Sequence, residues 1–591
     1  MPRLDDIVDE VVRTDVLIVG SEGAGARAAI AAADDGAQVM VATKGFVGKC
    51  GATLTADADI DVDSRNIIKL FALPGHPDDS PEVFFEDMVK EGDWLGNQRL
   101  IEIHCEEAGP RVKEFVDWGA RIDKLTHAPG HRYPRGIWIE GPEFARVLTK
   151  EIRKRPAISL VETIMVTDLL VRGGRCVGAV GLDYRHGKVY GFEAGAVVLC
   201  TGGAMRMYRY TTAPDELTGD GMAAVYRAGG ELQDMEFPMF LPYVMVKPDA
   251  VNSVDFPYLL SAYLDAKAMN KMGQEYMQKW DRERLAWSTR DVNSIAAMIE
   301  VLEGRGSPND GTYLSLKHIP RNIMENAVSF LPESMGRWRY GAFNMKEFLP
   351  DLSQDAIECA PACHFWNGGI RITEQCETNL PGLFAAGEGT GGIHGGNRVS
   401  GNALTMTQVW GPRAGHAAAR FVKREGRAEA DGEQARALRA RILAPVERSS
   451  GSNPIEIRNT VRSLSHRYLN AVREARYLEQ VLDELKGLRE EARRVHVRNP
   501  GLKKYNMEWV EALQTDNLLT IMELVARASL KRTESRGAMF RRDFPDTDGV
   551  QWLKNIVIRR EGDSMQMRTE PVVITRLEPP RKVYKYTEQG G

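Results

Sequence analysis

Apolar and polar positions along the chain fall into three regimes, and the first of them is the most regular. Asp15-Val16-Leu17-Ile18-Val19 is a short β-branched run of the kind that forms a strand buried on both faces of a parallel sheet. It breaks at Gly20-Ser21-Glu22-Gly23-Ala24-Gly25 and gives way to an alanine-rich stretch, Ala26 to Ala33, of high helix propensity. Gly36 closes that stretch before a second run, Gln38 to Ala42. The pattern predicts strand, glycine turn, helix, strand. Glycines at such a turn let backbone N–H groups approach a pyrophosphate, which the positive end of the helix then holds. Glu22 stands at the central glycine position of G-x-G-x-x-G, and Thr43-Lys44 stands where an acidic residue would end the second strand.

The loop after Lys44 is small and polar, with Gly45, Cys50, Gly51, Ala52, Thr53 and Thr55, and suits the face of a flat ring. Ser80 to Trp118 has helical spacing. Val161 to Cys200 alternates and turns like a β-meander that includes Val166, and its last strand ends at Thr201-Gly202-Gly203. Thr218-Gly219-Asp220-Gly221 then precedes another alanine-rich helix. The second regime, Pro238 to Ala360, is irregular and rich in Pro, Tyr, Trp and Met, which predicts an inserted domain. The sheet pattern returns at Cys376-Glu377-Thr378 and Pro381 to Glu388. The third regime begins beyond Glu425, where Leu464, Tyr468, Val472, Ala475, Leu478, Leu482 and Leu485 mark one stripe of an antiparallel bundle. The expected division is a cofactor domain over 1–237 and 361–425, an insertion over 238–360, a helical domain over 426–545 and a strand-containing tail over 546–591.

Composition narrows the function classes. The chain has 591 residues and a formal net charge of -5, which gives no electrostatic case for nucleic acid. No apolar run reaches the ~20 residues that span a bilayer, and the start lacks the apolar core of a signal peptide, so a cytoplasmic location is expected. Seven cysteines are scattered without a C-x-x-C, so an iron–sulfur cluster held by this chain alone is not expected. A redox cofactor here would be organic.

Gly382-Leu383-Phe384-Ala385-Ala386-Gly387-Glu388, followed by His394-Gly395-Gly396-Asn397-Arg398-Val399-Ser400-Gly401-Asn402-Ala403-Leu404, resembles the signature of the succinate dehydrogenase and fumarate reductase flavoprotein subunits. L-aspartate oxidase and adenylylsulfate reductase are relatives. The resemblance runs nearly end to end, through the Gly20 turn, Thr201-Gly202-Gly203, Met235-Glu236-Phe237, His364-Phe365-Trp366-Asn367-Gly368-Gly369-Ile370 and Arg532-Thr533-Glu534-Ser535-Arg536-Gly537. It implies an α/β fold in which a Rossmann-like FAD-binding domain carries an inserted α+β capping domain, followed by a helical bundle and a small β-containing tail. It also implies FAD.

The roles implied by the resemblance fit the residue types. Glu388 is placed to accept hydrogen bonds from ribose or ribityl hydroxyls, and Asn402-Ala403-Leu404 opens a helix that aims N–H groups at the electron-rich edge of the flavin. Arg398 and His364 match the residues that hold a substrate carboxylate, and Arg290 matches the arginine that moves the proton in α,β-desaturation. Three departures stand out. Gly51 aligns with the histidine to which many members attach FAD covalently, so non-covalent FAD is expected. Leu241 stands where a histidine would grip a second carboxylate. The Thr-Glu-x-x-Arg-Gly-Glu-Gly-Gly stretch that supplies a hydroxyl and a proton relay is absent, and an ungapped alignment puts Tyr258 and Leu259 there.

An unpaired second carboxylate against Leu241, Tyr243, Tyr258 and Leu259 would cost roughly several kcal/mol. The expected substrate is therefore a carboxylate or acyl compound other than succinate or fumarate, desaturated or reduced next to the carbonyl, with electrons exchanged with a separate iron–sulfur subunit. Such a partner complex could lie on the cytoplasmic side of a membrane. The alternatives are succinate dehydrogenase or fumarate reductase proper, a stand-alone oxidase like L-aspartate oxidase, and a non-catalytic electron-relay subunit.

Overall fold

The computed structural model describes residues 2–56, 59–128, 130–340 and 344–585, without the side chains of 332–340 and 583–585. The predicted opening unit is present as β1 (Glu10–Val19), α1 (Gly23–Asp34) and β2 (Val39–Thr43). Val16, Leu17 and Ile18 have no exposed surface, as the unbroken apolar run requires. The meander follows as β3 (Ile158–Glu162), β4 (Ile164–Arg172), β5 (Arg175–Asp183) and β6 (Lys188–Leu199).

The sheet runs in the order β3-β2-β1-β6-β5-β4. β1 is parallel to both β2 and β6, whereas β4, β5 and β6 are antiparallel. The inserted region contributes β7 (Pro238–Met245), α2 (Phe256–Tyr263), α3 (Arg290–Leu302) and β8 (Ile357–Trp366). β7 pairs antiparallel with β8, which crosses the expected boundary at residue 360 and carries the chain back to the cofactor domain. The short strand β9 (Leu383–Ala385) then adds in parallel to the end of β6. The large sheet is thus completed by residues nearly 200 positions away in sequence.

The next element, α4 (Asn402–Glu425), lies along α1 at close range, and glycine makes that possible. A Cβ on Gly411 would meet the Ala24 carbonyl oxygen at 2.5 Å, and one on Gly415 would meet that of Ala28 at 2.2 Å. The helical domain contains α5 (Pro454–Tyr468), α6 (Ala475–Ala492) and α7 (Met507–Lys531). Leu478 and Leu485 of the predicted stripe are buried in it.

The C-terminal region is less independent than a tail. Its hairpin, β10 (Lys554–Glu561) and β11 (Ser564–Pro571), pairs through β10 with Leu232–Gln233 of the cofactor domain. Beside that junction, fully buried Arg532 donates to Glu236 at 2.7 Å and to Glu534 at 2.8 Å, and Arg536 donates to the same Glu534 oxygen at 2.8 Å. The Met235-Glu236-Phe237 and Arg532-to-Gly537 motifs are therefore the two halves of one buried ion-pair cluster. No helix among the described residues is long and apolar enough to cross a membrane.

Candidate active site

A cavity of about 290 Å³ opens where β1, β2, β6 and β9 end, bounded by the glycine turn, the N-terminus of α4 and the inserted region. The turn is shaped by close backbone approach. Gly20 has φ +105, and a Cβ there would lie 2.1 Å from the Cys200 carbonyl oxygen on the neighbouring strand. Gly25 does not line the cavity; its Cβ would meet the Gly20 carbonyl at 2.0 Å, so its role is to let the helix start against the strand.

Gly20, Glu22, Gly23, Ala24, Thr43, Lys44, Gly45, Cys50, Gly51, Ala52, Thr53 and Thr55 all line one side. Val166, Thr201, Gly202, Asp220, Gly387, Glu388, Ala403 and Leu404 line it further along. Gly203 and Asn402 do not reach it directly. A Cβ on Gly203 would sit 3.1 Å from the Glu388 carboxylate, and Asn402 is buried at the start of α4, donating to Asp61 at 2.9 Å and pairing with His104 Nε2 at 2.8 Å.

The position of Lys44 has a structural cause. Its ammonium donates to Asp220 Oδ2 at 2.7 Å, to Thr218 Oγ1 at 2.9 Å and to the Glu216 carbonyl at 2.8 Å. Asp220 in turn accepts from Asn517 of α7 at 2.8 Å. Lys44 thus fastens the end of β2 to the Thr218–Asp220 turn and, through Asp220, to the helical domain. An acid at position 44 would repel Asp220.

Two half-buried carboxyls, Glu22 and Glu388, are among those that line the cavity. Burial pushes both Glu22 and Glu388 up to about 8, well above the usual carboxylate range. Glu388 Oε1 accepts from the Trp366 backbone N–H at 3.1 Å, and the buried Thr201 hydroxyl has no hydrogen-bond partner among the described residues. The cradle therefore suits a ligand with a pyrophosphate for the helix N-terminus, hydroxyls for Glu388 and Thr201, and a ring edge for the start of α4. FAD has all three.

At the far end the cavity is cationic. Arg398 is 4% exposed, lies 4.4 Å above the Phe365 ring, and donates through Nη1 to the Val399 carbonyl at 3.0 Å. Its Nε has no hydrogen-bond partner among the described residues. Burial and the adjacent Arg290 charge pull it down to about 9. Arg290, the first residue of α3, donates to the Arg398 carbonyl at 3.5 Å. His364 Nδ1 is paired with Thr212 Oγ1 at 2.8 Å.

His364 reaches the cavity through an irregularity of the sheet. The β7–β8 register shifts between Met239↔Phe365 and Phe240↔Cys363, leaving His364 as the extra residue of a bulge. The same strand pair explains the positions of Leu241 and Tyr243, which were expected to contact substrate. The register shifts again between Leu241↔Ala362 and Val244↔Ala360, and neither side chain lines the cavity. Leu241 packs with Tyr210, Val244, Ala360 and Ala362, whereas Tyr243 is buried in the insertion's core and donates to Asn293 at 2.7 Å.

Tyr258 and Leu259 sit on α2 outside the lining. The cavity also has lining residues that sequence reading missed. Asp255, immediately before α2, lines the cavity with Arg290, as do Asp59, Thr212 and Glu216. Asp255 stands three residues before the ungapped alignment point at Tyr258, and an allowance for a gap there would have brought it into consideration.

A mixed α/β sheet with a glycine turn at the ends of its parallel strands, a cradle fitted to FAD and a cluster of two arginines and a histidine beyond it define a flavin-dependent oxidoreductase. Residues 15–404 match the FAD binding domain family, and residues 458–584 match the family described as fumarate reductase flavoprotein C-term. The chain belongs to the succinate dehydrogenase/fumarate reductase flavoprotein family; it binds FAD and is an oxidoreductase of the group acting on CH–CH bonds. It is 33% identical over 573 residues to one subunit of the fumarate reductase (CoM/CoB) of Methanothermobacter marburgensis, covering 93% of this chain and 98% of that one. It is 28% identical to the fumarate reductase flavoprotein subunit of Mycobacterium tuberculosis, covering 96% and 99%. The structure of Mycobacterium smegmatis Sdh1 in complex with UQ1 superposes with a TM-score of 0.85 at 30% identity, covering 96% of each chain.

Proposed function

We propose that this chain is the flavin-bearing subunit of an enzyme that desaturates or reduces a C–C bond next to a carboxylate or acyl group, with a substrate other than succinate or fumarate. FAD, when bound, supplies the two-electron acceptor or donor. Arg398 and His364 hold the carboxylate or acyl oxygen, His364 being oriented by Thr212. Arg290 exchanges the proton on the neighbouring carbon, with Asp255 in the same cavity. The observation that carries the reading is the buried Arg398 guanidinium, whose Nε is left without a partner beside Arg290. An anion in reach of both is what such a pair requires.

The support for a substrate with one charged end is the makeup of the lining. Apart from Lys44, which is tied to Asp220, its cationic side chains among the described residues are Arg290, Arg398 and, when protonated, His364. Asp59 and Asp255 share the cavity and would repel a second carboxylate. Electrons are exchanged with a separate iron–sulfur subunit. That reading rests on the absence of any C-x-x-C here and on the Methanothermobacter relative being named as one subunit of its enzyme.

The same relative's name favours a second reading, a fumarate reductase proper. A flavin absorbance titration of the purified protein with fumarate, succinate and cinnamate separates the two. Cinnamate is expected to perturb the flavin spectrum at lower concentration than either dicarboxylate. Micromolar fumarate or succinate binding with rapid flavin redox change would overturn the proposal. For the partner, an iron–sulfur protein is expected to copurify from the native source.

A further inference from the structure

A second cavity, of about 380 Å³, adjoins the first. Thr212 and Ala213 line both, so the residue that anchors His364 on one side forms a wall of the other. Three distant segments build it. Arg206 and Arg209 come from the stretch after β6, Asn252 and Ser253 from the insertion, and Arg462 from α5 of the helical domain.

Its charge is not balanced. Arg206 is paired with Asp215, and Arg209 shares Asp310 with Arg467 at 3.5 and 3.6 Å. Arg458, one turn from Arg462, is paired with Glu511 at 2.7 Å. Among the described residues Arg462 itself has no carboxylate within ion-pair distance; its Nε donates to the Arg206 carbonyl at 3.0 Å. The Arg206 Nε is buried without a hydrogen-bond partner among the described residues. Burial and the neighbouring Arg206 and Arg458 charges pull Arg462 down to about 10. Three arginines, Arg206, Arg209 and Arg462, thus line a polar hollow, with Arg458 and Arg467 behind them, and the five together are paired with three carboxylates, none of them at Arg462 among the described residues. Clustered guanidiniums with unfilled donors are suited to bidentate, multiply charged oxyanions.

We propose that this pocket, lined by Arg206, Arg209 and Arg462, binds a phosphate group carried by the substrate at a distance from its reacting carbon, as in an acyl thioester of a phosphate-bearing carrier. The inference deepens the reading of a carboxylate or acyl substrate given above and rests on it. It would place the reacting acyl group at Arg398 and His364, with the carrier leaving past Thr212.

The test uses the FAD-loaded protein and three probes: inorganic pyrophosphate, cinnamate and cinnamoyl-CoA. Calorimetry is expected to show saturable pyrophosphate binding that does not exclude cinnamate. Cinnamoyl-CoA is expected to bind at least about tenfold tighter than cinnamate, the worth of one charge-assisted contact. Arg462→Gln should abolish pyrophosphate binding and reduce that advantage to none while the flavin spectrum is kept. Arg209→Gln, at a side chain that is 41% exposed, provides a variant with little risk to folding and should weaken both in the same direction.

Pyrophosphate binding that is absent, or unchanged in both variants, overturns the proposal. So does a cinnamoyl-CoA affinity no better than that of cinnamate. Loss of an iron–sulfur partner from the variants without loss of pyrophosphate binding would assign the arginines to a protein interface and overturn it equally. If pyrophosphate fails while cinnamate still perturbs the flavin, only this inference falls. If fumarate alone acts on the flavin, the proposed substrate class falls, and with it the acyl carrier.

Discussion

Glu22 lies where any side chain at position 51 would have to project. Gly51 has φ +81, and a Cβ on it would meet Glu22 Cγ at 2.4 Å. Glu22 of the glycine turn and Gly51 of the loop after β2 are therefore neighbours. Each fills or vacates the space the other needs.

The first prediction is that the flavin leaves the polypeptide on acid precipitation, because Gly51 has no nucleophile. Gly51→His should not restore a covalent link, since the positive φ and the Glu22 contact both oppose it, and it should lower stability by about 1 kcal/mol or more. Flavin fluorescence of the denatured polypeptide on a gel measures the first, and thermal unfolding the second. Cys50, the adjacent thiol, is held protonated by burial, its pKa pushed up to about 12, and is a poor alternative anchor.

Arg398→Lys should retain FAD yet weaken carboxylate binding by about 2 kcal/mol, roughly a 30-fold rise in Kd, because an ammonium cannot reproduce a planar two-bond contact. The measurement is the flavin absorbance titration with cinnamate. Loss of flavin along with binding would assign Arg398 to the cofactor or the fold.

Thr212→Val removes the hydroxyl paired with His364 Nδ1 and leaves the cavity shape nearly unchanged. The expected cost is about 0.5 to 1.5 kcal/mol in ligand affinity, roughly a 2- to 13-fold rise in Kd. An unchanged Kd would mean that the bulge alone orients His364.

Stability of the flavin-free protein should depend on pH through Glu22 and Glu388. Both carboxyls hold their protons in the folded state up to about 8, whereas the unfolded chain gives them up in the ordinary carboxylate range. The native state therefore binds more protons between those limits, and its stability falls as pH rises through them. Denaturant unfolding of the apoprotein should show a loss of at least about 1 kcal/mol between about pH 5 and about pH 8. Glu388→Gln should flatten that slope.

Arg532→Met leaves Glu236 buried without its cation, while Glu534 keeps Arg536. Such a loss costs about 3 to 5 kcal/mol. Because the cluster joins the C-terminal segment to the cofactor domain, the measurable outcome is a large drop in thermal midpoint together with earlier proteolysis after residue 531.

Local pattern was sufficient for the elements and for the cofactor. The apolar run before Gly20, the alanines of α1 and the motif around Glu388 are each contiguous, and their chemistry follows from periods and turn residues that short-range sterics fix. What the chain order could not supply was the substrate end of the site. Arg290, His364 and Arg398 come from three separate elements, and they meet only because β8 leads out of the insertion and α4 packs along α1. Leu241 and Tyr243 were misread for the same physical reason. Alternation assigns faces along a regular strand, but a one-residue shift reverses every face beyond it, and β7 and β8 contain two such shifts. The bulge that turns His364 into the cavity, the shift beside Leu241 and Tyr243, and the placing of Asp255 and Arg290 in one cavity are all settled by how the insertion packs onto the sheet, through contacts between residues more than 30 positions apart.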